Sequence, residues 1–425
     1  MKKALIITYY WPPAGGSGVQ RWLKFVKYFR DFGVEPVVYT VQNPNYPILD
    51  TSLQNDIPKN IEVLKQPIWE PNNLLSFFGK KKTESAGFLN PNPSFLGKIM
   101  QYVRANYFIP DARMFWVKPS VNYLKKYLSE NKIDVVITTG PPHSTHLIGL
   151  KLKQQIGVNW IADFRDPWTE IDYFHQLPLS KKAIKKHHFL EQEVLKNADS
   201  VLVVGKTMKE KYDKFNSNVV TVTNGFDGEI DDVKVELDSK FTLTHIGLMN
   251  ADRNSGMLWE VLAEICSENK DFKTDFQLKL IGKVDVSVLN EISKFELAEN
   301  VEIINYMPHN KVVEFQKKSQ VLLLVVNNVP SAKGIITGKI FEYLMAKRPI
   351  LAIAPSNGDL AEIMEQTNAG MVVDFENAAL LKKTIIDLYV KYKNGDLVVD
   401  SKNIEQFHRK QLTKKVAQIV LELKV

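Results

Sequence analysis

Short apolar runs and amphipathic stretches take turns along nearly all of the 425 residues, and this alternation restricts the fold more than any other feature. In the first half the runs are Ala4–Tyr10, Glu35–Val41, Ile133–Thr139, Val158–Asp163, Ser200–Gly205 and Val219–Thr223. In the second half they are Thr242–Gly247, Gln277–Gly282, Val301–Tyr306, Gln320–Val326, Pro349–Ala354 and Gly370–Asp374. Between them lie stretches with helical spacing, such as Val19–Phe32, Gly256–Ser267, Lys311–Lys318 and Thr337–Lys347. A strand that is apolar on both faces needs cover on both faces, and intervening helices supply it. The expected class is therefore α/β, with parallel sheets.

Two successive sets of about six strands predict two doubly wound domains, since an eight-fold barrel would need one closed series of similar units. The charged, turn-rich segment Asn224–Ser239 interrupts any such series. The expected division is 1–225, 226–400 and a closing helical segment 401–425, in which Ile404, Phe407, Leu412, Val416, Ile419 and Leu423 are periodic.

Composition excludes several other classes. Hydrophobic residues make up 44% and charged residues 24%, so the chain is neither disordered nor collagen-like. A single cysteine, Cys266, excludes an internal disulfide and a multi-cysteine zinc site, and fits a reducing compartment. The apolar run after Met1 is too short for a signal peptide, and no run approaches a membrane span. These features predict a cytoplasmic protein. Residues 1–225 hold 30 Lys and Arg against 19 Asp and Glu, net +11, and the remainder holds 25 against 29, net −4. A basic first half and an acidic second half imply different partners.

The segment 71–119 breaks the rhythm. Leu74–Gly79 precedes Lys80-Lys81-Lys82, and Phe95-Leu96, Tyr102, Tyr107-Phe108 and Phe115-Trp116 follow. Aromatic residues beside lysines suit an anionic membrane surface at the inner face of the cytoplasmic membrane. The same composition also suits an insertion packed on its own domain.

The first strand runs into Trp11–Arg21, a loop containing Gly15, Gly16, Ser17 and Gly18. Glycines between strand and helix let backbone N–H groups approach a phosphate or a sugar, and the helix end adds partial positive charge. The loop lacks the third glycine of the dinucleotide fingerprint and the Lys-Ser/Thr of a P-loop. A turn needed only for close packing would look the same.

Four segments together resemble the GT-B glycosyltransferases of the large retaining family called glycosyltransferase family 4, or group 1. They are the Gly-Gly loop, Pro141-Pro142-His143-Ser144-Thr145-His146, Ala162-Asp163-Phe164-Arg165-Asp166-Pro167-Trp168 and Gly338-Lys339-Ile340-Phe341-Glu342-Tyr343-Leu344. The resemblance covers essentially the whole chain. It implies two facing Rossmann-like domains with the final helix crossing back to the first. It also implies a nucleoside-diphosphate sugar as donor substrate, held mostly by the second domain, with no further cofactor. The acceptor, a glycan or lipid-linked precursor of a cell-surface polysaccharide, would be held mostly by the first. Retention of configuration is implied by the family alone.

Breaking the bond to a nucleoside diphosphate leaves negative charge that cations or N–H donors must offset. No Asp-x-Asp metal motif ends a strand, and Asp231-Asp232 lies in the linker, so a metal-free site is expected. Arg253, after the first strand of the second domain, and Lys339, at a helix start beside Thr337 and Gly338, are the candidate cations. In the family an arginine directly follows the glycine at Gly247 and a lysine stands six residues after it. Here Leu248 replaces the first and Arg253 aligns with the second. Glu342 can accept two hydrogen bonds from a ribose diol. By resemblance it is the second glutamate of Glu-x7-Glu, the first being replaced by Gly334, for which backbone amides of 333–337 could substitute.

His143 follows a strand and can hydrogen-bond a sugar hydroxyl or a developing charge. By resemblance it is the family's active-site histidine, with His146 the alternative. Asp163, Arg165 and Asp166 end the next strand, where they could position or deprotonate an acceptor or simply pair with one another. The expected assignment is His143 and Asp163 catalytic, and Gly15, Ser17, Arg165 and Asp166 at the acceptor. Gly16, Arg253, Thr337, Gly338, Lys339 and Glu342 are expected at the donor, with no metal ligand and no nucleic acid partner. Two other activities fit the same residues: a nucleotide-sugar 2-epimerase of similar fold, and a non-catalytic nucleotide-sugar binder.

Overall fold

The structure, a computed structural model, describes residues 1–70, 94–228, 235–305, 307 and 309–423. The Leu74–Gly79 run, Lys80–Lys82 and Asp231-Asp232 lie outside them. The chain forms two compact units, Met1–Asp227 with Arg409–Val425, and Gly228–His408.

The first unit is built on a seven-stranded sheet of order β3-β2-β1-β4-β5-β6-β7. Its strands are β1 (Lys2–Ile7), β2 (Val34–Val41), β3 (Glu62–Gln66), β4 (Val135–Gly140), β5 (Trp160–Phe164), β6 (Ser200–Val203) and β7 (Val219–Thr221). Every pairing is parallel. The second unit carries a six-stranded sheet of order β10-β9-β8-β11-β12-β13, also parallel throughout. Its strands are β8 (Phe241–Ile246), β9 (Phe276–Ile281), β10 (Val301–Ile304), β11 (Val321–Val325), β12 (Ile350–Ile353) and β13 (Gly370–Val373). In both sheets the order reverses beside the first strand, between β1 and β4 and between β8 and β11. Loops leaving the carboxyl ends of strands at such a reversal diverge to opposite faces, and the crevice between them is where ligands bind in doubly wound sheets.

The central strands are buried on both faces, as their continuous apolar runs require: all residues of β4, β5, β8 and β11 are buried. Helices close each face. The Ser17–Tyr28 helix buries Val19, Trp22 and Val26 against Ala4, Ile6 and Val38, and Leu412, Val416 and Val420 of the Arg409–Glu422 helix complete this layer. Edge strand β3 has no fully buried residue, which is why its sequence, Glu-Val-Leu-Lys-Gln, carries no apolar run.

The 71–119 segment divides structurally. Trp116 follows the reading of an insertion packed on its own domain: it is buried and stacks on Tyr39 with ring centroids 5.2 Å apart, so it is a core residue. The Phe95–Tyr107 helix, in contrast, has no buried residue.

Candidate functional site

In the first unit the β1 loop, the β4 loop and the end of β5 meet at the strand-order reversal. Gly16 has φ +82, a region that L side chains rarely adopt, and ends the loop after β1 at the point where the Ser17–Tyr28 helix starts. The Gly15 amide donates to the Ile48 carbonyl (2.9 Å), and a Cβ on Gly15 would lie 2.9 Å from Ile48 Cγ2. Gly15 therefore packs the loop and has no amide left for an acceptor. Ser17 is the first residue of the helix.

Arg165 also has a different place from the expected one. Its guanidinium donates to the carbonyls of Gly18, Gly140 and Pro141, and so locks the glycine loop to the β4 turn. It is buried and acts on the site through the backbone it holds. Asp166, next in sequence, is exposed.

Asp163, expected to be catalytic, is instead a buried anchor. It is completely buried, and five donor contacts from three side chains fill its two oxygens. Arg21 Nη2 donates at 2.8 Å and Nε at 3.2 and 3.3 Å, Trp22 Nε1 at 2.6 Å and Thr139 Oγ1 at 2.9 Å. A carboxylate with its acceptor sites filled and no exposure cannot take a proton from an incoming hydroxyl. Its work is to neutralise buried Arg21 and tie the first helix to β4 and β5.

His143 follows the β4 turn and stacks face to face on Trp168, centroids 4.8 Å apart. Burial, with His146 and Arg165 nearby, pushes its pKa well below the ordinary histidine range, so the ring is neutral near pH 7. Its Nδ1 is buried and has no hydrogen-bond partner among the described residues. With Nδ1 buried, the neutral imidazole held flat by a tryptophan has Nε2 to offer a sugar hydroxyl, as donor or acceptor according to the tautomer. His146 is the deeper of the two: it stacks on Phe164 at 4.4 Å, its Nδ1 meets Thr138 Oγ1 at 2.9 Å, and burial lowers its pKa to about 3.

In the second unit the corresponding loops gather cations. After β8 the chain turns at Gly247, φ +103. The Leu248 carbonyl then accepts from Arg253 Nη1 (2.7 Å) and Lys339 Nζ (3.5 Å). Arg253 and Lys339, 86 positions apart by number, thus converge on one backbone oxygen at the end of the central strand. Lys339 Nζ also lies 3.2 Å from Nε2 of His245, a buried residue of β8 that sequence reasoning passed over. His245 Nδ1 lies 3.2 Å from the Leu323 carbonyl. Its Nε2 lies 3.4 Å from the Leu248 carbonyl, so each ring nitrogen faces a backbone oxygen that can only accept, and the Leu248 oxygen is shared among His245, Arg253 and Lys339. Burial, followed by Lys339 and Arg253, holds the His245 pKa well below its usual range.

Lys339 is itself under strain as a cation. Burial and the neighbouring Arg253 push its pKa well below the ordinary lysine range, against a smaller pull from Glu342. Any anion entering here would relieve that repulsion. Glu342, one turn along the Lys339–Ala346 helix, accepts from Gln316 Nε2 at 3.2 Å and is partly exposed.

Thr337 Oγ1 accepts from the Lys339 amide (3.2 Å), so that amide is occupied by the side chain two residues before it. The amides of Gly334 and Ile335 donate to Ser331 and Ala332 (3.1 Å each) and so cannot replace the missing glutamate. Gly338 is the exposed N-cap of the helix, without a side-chain cap of its own. Among the described residues no three His, Cys, Asp or Glu side chains are grouped so as to hold a metal ion.

Comparison with known proteins gives the same outline. Residues 240–391 match the family model described as "Glycosyl transferases group 1". No curated protein matches the chain by sequence. Among solved structures, a sucrose-phosphate synthase from Thermosynechococcus elongatus superposes with TM-score 0.59 at 14% identity, covering 99% of this chain and 95% of its own. The lipopolysaccharide outer core galactosyltransferase WaaB superposes with TM-score 0.61 at 15% identity, covering 99% of each chain. A UDP-GlcNAc 2-epimerase from Methanocaldococcus jannaschii gives TM-score 0.52 at 12% identity, again over 99% of each. At such identities these structures report the fold alone. With its two parallel sheets the chain has the GT-B fold, and residues 240–391, within its second unit, are similar to the group 1 glycosyl transferases.

Proposed function

We propose that the chain is a retaining glycosyltransferase that moves a sugar from a nucleoside-diphosphate sugar to a glycan or lipid-linked acceptor in cell-surface polysaccharide synthesis, without a metal ion. The observation that carries this reading is the convergence of Arg253 and Lys339 on the Leu248 carbonyl at the end of β8. As the sugar–phosphate bond breaks, charge builds on the departing oxygen. Two fixed cations stabilise that charge more than they stabilise the intact donor, and this difference is what accelerates transfer. Lys339, destabilised as a free cation, gains most from the diphosphate. Glu342 would receive the ribose hydroxyls. In the first unit the neutral His143 ring, flat against Trp168, would orient the acceptor or donor sugar. The basic first half suits an acceptor carrying phosphate, and retention rests on the family likeness.

Incubating the protein with a panel of nucleotide sugars and lipid-linked acceptors, with and without EDTA, tests this. The expected result is nucleoside diphosphate released only when acceptor is present, equally in EDTA. Donor altered without acceptor would favour the epimerase reading. Binding without release would favour a non-catalytic binder, and strict magnesium dependence would contradict the metal-free site.

A further inference from the structure

The Phe95–Tyr107 helix buries none of its residues. With 100° between successive residues, Phe95, Leu96, Ile99, Met100, Val103 and Tyr107 fall within an arc of about 140°. All six are exposed, Phe95 at 78%, Leu96 at 71% and Tyr107 at 69%. Lys98 and Arg104 flank this arc and are also exposed. Asn106 is the one polar residue within the arc, and soluble surfaces rarely keep an apolar stripe of this length unless something covers it.

A second helix says what that cover is. Asn106, near the end of the first helix, donates to the Pro178 carbonyl (2.8 Å) and accepts from the Ser180 amide (2.7 Å). Ser180 caps the Lys181–Asn197 helix. On the solvent side of that helix Lys182, Lys185, Lys186 and Phe189 lie within about 100° of arc, all exposed, Phe189 at 61%. An apolar stripe joined to a lysine face with a phenylalanine at its centre is the composition of an element lying in the plane of a membrane. Rings and aliphatic chains enter the acyl boundary, and ammonium groups meet anionic headgroups. The first helix has 13 residues, too few to cross a bilayer, and no helix among the described residues is long and apolar enough to do so.

We propose that these two helices dock the first unit onto an anionic lipid bilayer, lying in its interface. Lysines on the second helix point to a bilayer over a second copy of this chain, because a self-pairing surface would bring like charges together. The inference adds a partner to the sugar-transfer reading and does not depend on it.

The test is flotation of the full chain with vesicles of phosphatidylcholine and phosphatidylglycerol, against phosphatidylcholine alone, at low salt. The protein is expected to float with the anionic vesicles and to be largely released by high salt. Ile99→Glu with Val103→Glu, and separately Lys182→Ala with Lys185→Ala and Lys186→Ala, should each weaken partitioning about tenfold or more. Because these side chains are exposed, both variants should keep the thermal midpoint and its response to nucleotide sugar. Failure of the unaltered protein to float with anionic vesicles at low salt would overturn the inference. So would variants that float as it does, or a dimer that the glutamate variant dissolves while flotation stays unchanged. Lost response to nucleotide sugar with intact flotation would count against the sugar-transfer reading only.

Discussion

Asp163 closes a strand with the residue type expected of a general base, yet Arg21 and Trp22, far away in sequence, consume it. Its spacing to Arg165 and Asp166 was legible, but the partner that decides its role comes from another element. Asp163→Asn would leave the buried Arg21 charge uncompensated, at a cost of about 3–5 kcal/mol. A melting curve should show a large loss of stability in the first unit. A variant that melts normally but is inactive would return Asp163 to the chemistry.

Lys339 is the opposite case: its identity and place at a helix start were legible, and its electrostatic state was not. That state depends on burial and on Arg253, which only folding brings near. A lysine whose pKa is depressed is charged below that pKa and neutral above it. Affinity for a nucleoside diphosphate should therefore fall as pH rises, starting below the ordinary lysine value of 10.5. Titration above about pH 8, where phosphate oxygens are already ionised, isolates this effect. Lys339→Arg, always charged, should show no such fall. A flat wild-type profile up to the ordinary lysine range would contradict this picture.

At the scale of the element, β8 and the Lys339–Ala346 helix meet over Gly247. A Cβ built on Gly247 would lie 2.8 Å from Lys339 Cε, so the lysine crosses the site where any other residue would carry its side chain. Gly247→Ala adds that clash to a backbone at φ +103 that disfavours alanine by about 1–3 kcal/mol. The expected outcome is a folded protein with about tenfold weaker nucleoside diphosphate affinity, read by titration calorimetry; unchanged affinity would mean that Lys339 has no part in binding. Elements with both faces buried were readable because their apolar runs are continuous. Strand β3 was not, since one row of neighbours leaves it half-exposed and polar. Trp116 had two open readings for a related reason: an aromatic residue in an irregular stretch reads the same whether it faces a core or a membrane, and only its stacking on Tyr39 decides.

At the scale of the whole molecule, the alternation of strand and helix was enough to predict two parallel sheets, and each has its order reversal beside its first strand. The motifs named Arg253 and Lys339 for the donor phosphate but not His245, which folding brings beside Lys339. His245 gives no signal of its own inside an apolar strand, and only its contact with Lys339 singles it out. The most direct measurement is the thermal stabilisation of the full chain by a nucleoside diphosphate, compared with the corresponding nucleoside, in the unaltered protein and in Arg253→Ala and Lys339→Ala. Near a hundredfold excess over Kd, the diphosphate should stabilise the unaltered protein by about 2–3 kcal/mol and the nucleoside far less. Each substitution should weaken diphosphate binding by about 1.5–3 kcal/mol, the worth of a charge-assisted hydrogen bond. Equal stabilisation of all three proteins by the diphosphate would contradict the account.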